Sequence, residues 1–289
     1  MRGLGSRRRP VPPLAAGVWA LAACVSAAPS PSKHVQVQLV SEVESIRPGQ
    51  PFQVGLHLRM DPEWHTYWKN PGDSGLPTRL SWKLPEGFRA APIEWPFPKT
   101  FRQGPVTSYG YADEVLLTVA ITPPSSLAPG TPVTLAARAD WLECREICLP
   151  GRRELSLVLP VRSEGPRPSA PWAPKFAAAR AQVPRAAAGW MFEAKETPER
   201  VVLVVRPPRG QADIRSATFF PDGGQVIDHA SPQAWARAAG GYRLEMTPAS
   251  NAARPLRALE GVLVTESPGG TTAVRVDAKS AAPSPKEKP

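Results

Sequence analysis

Residues 34–40, His-Val-Gln-Val-Gln-Leu-Val, and residues 52–58, Phe-Gln-Val-Gly-Leu-His-Leu, alternate polar and apolar side chains. A period of two residues is typical of a β-strand with one buried face. Similar segments, separated by Pro-Gly and Pro-Pro turns, recur at 79–83, 115–122, 133–140 and 153–161. About seven short strands within about 130 residues predict a β-sandwich.

Composition supports an all-β chain. The 289 residues include 37 prolines and 22 glycines. Proline removes a backbone hydrogen-bond donor, so this composition disfavours long helices and central strands. A helical bundle, a coiled coil and a doubly wound α/β enzyme are therefore poor fits.

The chain divides into segments of different character. We expect a first domain at 34–163, a Pro/Ala-rich linker at 164–185 and a second, smaller β-rich domain at 186–278. Within the linker, residues 172–181 have the composition of a short helix. The tail at 279–289 has the composition of a disordered segment.

The N-terminus has the pattern of an export signal at residues 1–28. Four arginines precede an apolar run from Leu14 to Val25. That run is too short to span a bilayer core of about 30 Å. Two processing routes are open. Leu21-Ala22-Ala23-Cys24 is similar to a lipobox, which would lipidate Cys24, whereas cleavage after Ala27 or Ala28 would remove that cysteine.

Charge does not indicate a nucleic-acid partner. The formal net charge is +10, but the basic residues are dispersed among prolines and alanines. Nucleic-acid binding needs a clustered basic face. We therefore expect no nucleic acid as a partner, and a membrane only through a lipid anchor on Cys24. Four scattered histidines and three cysteines do not predict a metal site.

Apart from Cys24, the cysteines are Cys144 and Cys148. In an oxidising compartment, two such close cysteines usually form a disulfide. An extended strand would hold residues i and i+4 about 13 Å apart, whereas a disulfide needs Cα atoms within about 7 Å. The chain must therefore bend at residues 145–147. A disulfide here is either a structural staple or a redox-active group, and both interpretations stay open at this point.

A second dense segment, Trp-His-Thr-Tyr-Trp, occupies residues 64–68 and precedes a Pro-Gly-Asp-Ser-Gly turn. Trp64, Tyr67 and Trp68 are candidates for shielding a functional site. The alternative is that they pack at the end of an ordinary strand.

Five motifs occur in the order found in one family: WHTYWKNPGDSGLPT at 64–78, WKLPEG at 82–87, IEWP at 93–96, SYGY at 108–111 and WLECREICLP at 141–150. Together they resemble the N-terminal periplasmic domain of the thiol:disulfide interchange protein DsbD, in its DsbD-like/ScsB-like, disulfide bond corrector branch. Residues 215–264 are similar to the region that follows this domain in longer branch members.

The resemblance implies an immunoglobulin-like sandwich with a redox-active pair, Cys144 and Cys148. It implies that Cys148 attacks the substrate disulfide, and that no cofactor is needed. It also implies a cap loop at 108–111, so we expect Tyr109 or Tyr111 to shield the pair.

The resemblance further implies a protein-disulfide reductase or interchange component in the bacterial periplasm. Its electron donor would be a thioredoxin-like protein or membrane thiol reductase acting in trans, because the longer relatives carry a membrane channel and a thioredoxin domain that this sequence lacks. Its substrates would be oxidised periplasmic proteins. Two alternatives remain: a non-catalytic binding or scaffold module with a structural disulfide, and a Cu(I) carrier using the reduced pair.

Overall fold

The computed structural model describes residues 33–211, 213–223 and 225–280. Up to residue 159, ten strands form two antiparallel sheets. In chain order they are β1 (Val35–Ser41), β2 (Phe52–Met60), β3 (His65–Gly72), β4 (Arg79–Lys83), β5 (Arg89–Ala90), β6 (Lys99–Gln103), β7 (Val106–Ala112), β8 (Glu114–Thr122), β9 (Val133–Cys144) and β10 (Cys148–Leu159). One sheet has the order β1-β2-β8-β5, and the other has the order β10-β9-β3-β7-β6 with β4 paired to β9.

The two sheets enclose one apolar core, which confirms the predicted sandwich. Alternate side chains of β9 are buried, and their neighbours on the strand are only half-buried or exposed. The buried aliphatic residues of the central strands include Val54, Leu56, Leu58, Leu117, Val119, Ile121 and Leu135. Each such side chain stabilises the fold by about 1.5–3 kcal/mol relative to exposure.

The segment expected as a linker packs against the sandwich. It contains the helix α1 (Ala173–Gln182), which confirms the helix predicted at 172–181. Phe176 of this helix is fully buried against Val40 and Leu116. At its end, the Gln182 carbonyl accepts a hydrogen bond of 2.9 Å from the Phe97 amide. The segment therefore packs on the face of the β1-β2-β8-β5 sheet rather than acting as a free spacer.

Seven further strands follow the helix: β11 (Met191–Glu196), β12 (Val201–Arg206), β13 (Ser216–Pro221), β14 (Ala234–Ala238), β15 (Gly241–Met246), β16 (Ala258–Ser267) and β17 (Gly270–Lys279). They form two antiparallel sheets, β11-β12-β15-β14 and β13-β16-β17. Leu203, Phe219, Leu244 and Leu263 are fully buried between them. The second β-rich region therefore has a core of its own.

The second region also packs on the first. Three of its buried side chains join the apolar cluster of the sandwich: Phe220, Val262 and Ala273. The Asn70 amide donates a buried hydrogen bond of 2.8 Å to the Pro221 carbonyl. Beside it, the Lys69 ammonium lies 2.7 Å from the Asp222 carboxylate. Because these contacts adjoin β3, the second region supports the strand that carries the aromatic segment.

The structure describes little of the two chain ends for which we made predictions. The export signal at 1–28 and Cys24 lie outside the described residues, as do residues 281–289. Strand β17 continues through Lys279, and the Ser280 amide donates a hydrogen bond to the Arg257 carbonyl. Strand β17 therefore ends at residue 279, the position where we expected the tail to begin.

Candidate functional site

The cysteine pair closes the hairpin between β9 and β10. Cys144 and Cys148 are directly opposite in the ladder, and Arg145, Glu146 and Ile147 form the turn. The two Cα atoms lie 4.2 Å apart and the sulfurs are bonded. The sharp bend required by the sequence is therefore a β-hairpin, and the predicted pairing of Cys144 with Cys148 is confirmed.

The two cysteines differ in solvent access. Cys144 is only 1% exposed, whereas Cys148 is exposed to solvent. The adjacent Ile147 is 64% exposed. A thiol from another protein can thus approach Cys148, while Cys144 is covered by its own chain.

Tyr67 supplies part of the cover. Its hydroxyl lies 3.3 Å from the Cys148 sulfur. A disulfide sulfur carries no proton, so the hydroxyl is the donor in this contact. The pKa of Tyr67 is raised by burial, an effect larger than the opposing hydrogen bond with Ser108. The phenol therefore keeps its proton and remains a donor when Cys148 becomes a thiolate.

Gly75 allows the Tyr67 ring to take this position. A Cβ atom on Gly75 would lie 2.2 Å from Cε1 of Tyr67, and Gly75 has a φ of +110°. Both the contact and the backbone conformation favour glycine. The Pro-Gly-Asp-Ser-Gly turn after the aromatic segment is thus part of the site.

His65 lies on the same face of β3 as Tyr67, and it pairs with Cys144 in the ladder between β3 and β9. Opposite residues in antiparallel strands have Cβ atoms about 4.5–5.5 Å apart. His65 is buried, and burial lowers the pKa of its imidazole below the ordinary value of 6.5. A neutral imidazole, able to accept a proton, therefore lies beside the buried cysteine.

The hairpin of β6 and β7 completes the cover. Phe101 of β6 stacks on His65 with ring centroids 4.4 Å apart. The Gln103 amide donates a hydrogen bond to the Arg145 carbonyl in the turn between the cysteines. Sequence reasoning missed Phe101, Gln103 and His65; the signal available for the histidine was its alternation with Tyr67 on one strand.

The other residues expected to shield the pair contact different parts of the molecule. Tyr109 bonds His229 of the second region at 2.8 Å, and the Tyr111 hydroxyl donates to the Pro96 carbonyl at 2.7 Å. Residues 108–111 belong to strand β7 and are not a loop over the cysteines.

Trp64 and Trp68 also differ from expectation. Trp64 stacks on His34 with centroids 3.8 Å apart, and the fully buried Trp68 packs against Phe220 of the second region. The structure therefore brings Tyr67 to the disulfide and directs Trp64, Trp68, Tyr109 and Tyr111 to other contacts.

The two charged residues that flank Cys144, Glu143 and Arg145, have partners of their own. Arg145 forms an ion pair of 3.0 Å with Glu63. Glu143 is buried, and its carboxylate accepts hydrogen bonds from the Lys33 amide and the Trp141 indole. Because Glu143 is adjacent to Cys144 in the strand, its side chain points to the opposite sheet face.

Across residues 33–211, 213–223 and 225–280, there is no group of three or more His, Cys, Asp and Glu side chains placed to hold a metal ion. Over the same ranges, no helix has the length and apolar character needed to cross a membrane.

Fold and site together define an immunoglobulin-like sandwich with a surface disulfide at the tip of a hairpin. Residues 34–160 match the family described as thiol:disulfide interchange protein DsbD, N-terminal. The first region of the chain is therefore similar to this family. No match was found among curated proteins.

A solved structure shares the fold over both regions. The N-terminal periplasmic domain of ScsB from Proteus mirabilis is 17% identical, with a TM-score of 0.64 over 86% of this chain and 95% of that chain. A protein of unknown function from Porphyromonas gingivalis W83 is 13% identical, with a TM-score of 0.23 over 86% of this chain and 100% of that one. The TM-score of 0.23 is too low to indicate a shared fold, whereas the TM-score of 0.64 shows that this chain and the ScsB domain have a common fold.

Proposed function

We propose that this protein is a periplasmic thiol–disulfide exchange module that passes reducing equivalents to oxidised proteins through Cys144 and Cys148. One observation carries the proposal: Cys148 is exposed and its sulfur accepts a hydrogen bond from Tyr67, while Cys144 is buried opposite the neutral His65. This asymmetry separates an attacking cysteine from a resolving one.

The exchange starts from the reduced pair. The Cys148 thiolate attacks one sulfur of a substrate disulfide, and a Cys148–substrate disulfide forms as the second substrate sulfur leaves as a thiolate. The Cys144 thiol then gives its proton to His65, and its thiolate attacks the Cys148 sulfur. The first substrate sulfur leaves and the Cys144–Cys148 disulfide forms. Two electrons pass from the pair to the substrate.

Turnover requires a reductant. We propose that a thioredoxin-like protein or a membrane thiol reductase, acting in trans, reduces the Cys144–Cys148 disulfide by the reverse exchange. The match of residues 34–160 to the DsbD N-terminal family supports this class of partner. The export signal expected at residues 1–28, and the fold shared with a periplasmic domain, support the periplasm. Lipidation at Cys24 stays a prediction.

A purely structural role for the disulfide is less consistent with its position. Twelve residue pairs join β9 to β10 in a continuous ladder, so the hairpin is held by its own hydrogen bonds. A crosslink closing so short a loop removes little unfolded-state entropy, roughly 2 kcal/mol for five residues. A staple would contribute more between distant segments.

The test is to trap the partner. A Cys144→Ser variant expressed in its native envelope cannot resolve the mixed disulfide, so substrates should stay linked to Cys148. Non-reducing electrophoresis and mass spectrometry would identify them, and a Cys148→Ser variant is the matched control. We expect adducts with Cys144→Ser alone.

A non-catalytic scaffold is the second candidate, favoured by the second region that packs on β3. It predicts that substrate thiols keep their redox state in both variants while a partner still binds. A reduction potential below about −300 mV, typical of inert structural disulfides, would also favour the scaffold.

A further inference from the structure

A row of side chains leads away from the cysteine pair on one face of the second sheet. Every second residue of a strand lies on the same face, so Leu142, Asp140 and Arg138 share the face of Cys144. These residues are half-buried, whereas the intervening ones are buried in the core. The row therefore lies on the outer face of the sheet.

Neighbouring strands extend the row sideways. On β10, Pro150 is opposite Leu142 and Arg152 is opposite Asp140. On β4, Arg79 is opposite Asp140. At about 3.3 Å per residue, the row from the cysteine pair to Asp140 and Arg152 is about 13 Å long.

A groove of about 400 Å³ follows this row, and we call it the β4–β9–β10 groove. Its apolar lining includes Leu76, Leu142 and Pro150. Leu76 is 58% exposed, and Ile147 in the turn between the cysteines is 64% exposed. The end of the groove nearest Cys148 is thus apolar and open to solvent.

The far end of the groove is basic. The residues lining it include three arginines, Arg79, Arg138 and Arg152, and one aspartate, Asp140. Asp140 pairs with Arg138 at 2.9 Å and with Arg152 at 2.5 Å. One carboxylate against three guanidinium groups leaves a positive surface, which favours a negatively charged partner segment.

We propose that the β4–β9–β10 groove binds an extended segment of the substrate protein next to its reacting cysteine, with acidic side chains three to five residues from that cysteine. The inference rests on the proposed function, because the segment is delivered when its cysteine bonds to Cys148. Apolar side chains beside the cysteine lie on Leu142 and Pro150, and the acidic ones reach Arg79 and Arg152.

The test compares three peptides that each carry one cysteine as a mixed disulfide with 2-mercaptoethanol. They differ only at positions three to five from the cysteine, which hold glutamate, serine or lysine. The reduced protein is mixed with each peptide, and the rate of peptide thiol release is measured by rapid quench. At low salt we expect the glutamate peptide to react about fivefold faster than the lysine peptide. The ratio of these two rates should fall at high salt.

Arg79→Glu and Arg152→Glu should remove or reverse this preference. Arg153→Glu is the matched control, because Arg153 is the next residue on β10 and is also exposed, but it lies opposite Ala139 on the other sheet face. Bis(2-hydroxyethyl) disulfide has no peptide segment, so its rate should be the same in all variants. Circular dichroism checks that each variant is folded.

The outcomes separate the groove from the exchange activity. Equal rates for the three peptides, with normal reaction of the small disulfide, would overturn the groove alone. An equal loss of preference in Arg153→Glu would also overturn it, because net charge and not the groove would set the rate. No reaction with any disulfide would overturn both proposals.

Discussion

The hydroxyl of Tyr67 and the sulfur of Cys148 lie 3.3 Å apart although 81 positions separate the residues in the chain. The contact joins β3, which carries the aromatic segment, to the tip of the β9–β10 hairpin. It is directed at the exposed cysteine, on which negative charge develops when the disulfide opens. A hydrogen bond to a charged group contributes about 1.5–3 kcal/mol, more than one to a neutral sulfur.

Tyr67→Phe should therefore raise the pKa of the Cys148 thiol by about one unit, because the thiolate loses a donor. The measurement is the thiolate absorbance of the reduced protein as a function of pH. Cys144 and Cys24 are replaced by serine so that Cys148 titrates alone. Alkylation of Cys148 at neutral pH should slow correspondingly.

Tyr111→Phe is the control for this change. It removes the same atom from another buried tyrosine, whose hydroxyl bonds the Pro96 carbonyl instead of a sulfur. It should affect stability and leave the Cys148 titration unchanged. An identical titration in Tyr67→Phe and Tyr111→Phe would show that Tyr67 has no electronic role.

Gly75→Ala should displace the Tyr67 ring, because the added methyl group would lie 2.2 Å from Cε1. We expect the free energy of unfolding to fall by about 1–3 kcal/mol, in addition to the cost of the backbone strain that the substitution introduces. The uncovered disulfide should also be reduced faster by dithiothreitol. Urea titration gives the free energy of unfolding, and a thiol assay gives the reduction rate.

Gly130→Ala is closely matched, since Gly130 has a φ of +98° and nothing within 4 Å of an added Cβ atom. Both variants carry the strain of a non-glycine residue at positive φ, so the difference between them measures the Tyr67 contact. Equal changes in the free energy of unfolding and in the reduction rate of the two variants would mean that the Tyr67 ring can move without destabilising the protein or uncovering the disulfide.

His65→Gln should slow the second step of exchange and spare the first. Cys148 attacks without help from His65, whereas the buried Cys144 thiol needs an acceptor for its proton. General-base removal typically costs at least about a hundredfold, so the mixed disulfide should accumulate. Reduced protein is mixed with bis(2-hydroxyethyl) disulfide, quenched with acid, and the adduct on Cys148 is quantified by mass spectrometry.

His57→Gln provides the comparison, because His57 is a buried histidine on β2 in the other sheet. It should show no accumulation of adduct. In the wild type, the resolution rate should fall as pH drops through the lowered pKa of His65, because the imidazolium cannot accept the proton. A mixed disulfide that resolves equally fast in His65→Gln would remove the histidine from the mechanism.

The sequence predicts most of the sandwich because its strands carry local patterns. Predicted segments at 79–83 and 115–122 coincide with β4 and β8 to within a residue. The disulfide is also predicted, because two cysteines four positions apart in a chain that we expect to be exported have few alternatives. The strands and the disulfide can both be predicted because the pattern that indicates each of them lies within a few residues of it in the sequence.

The cover over the disulfide could not be predicted in this way. Phe101 contacts His65, and Gln103 contacts Arg145, across 36 and 42 positions of the chain. Strand β6 is exposed on most of its length, so it has no apolar alternation to reveal it. Which of the clustered aromatics faces the cysteines depends on how β3 pairs with β9, and that pairing is set by the whole sheet.

Three buried histidines, His57, His65 and His229, should make stability depend on pH. Burial is the largest cause that lowers each pKa below 6.5, although Glu114 opposes it for His57 and Asp73 opposes it for His229. In the unfolded chain each pKa returns to about 6.5. Between the folded and unfolded values the unfolded chain binds more protons, so stability rises with pH there and levels off above about pH 7.

The free energy of unfolding should therefore fall as pH decreases from about 7 to 5.5, by up to about 1.4 kcal/mol per pH unit for each histidine. The carboxylates with lowered pKa, such as Asp140 and Asp228, have ordinary values of 3.8 and titrate below this window. Urea titrations at several pH values measure the slope, and His→Gln variants at positions 57, 65 and 229 should each flatten it. A free energy independent of pH across this window would mean that the buried imidazoles accept protons without cost, which would also remove the basis for a neutral His65 beside Cys144.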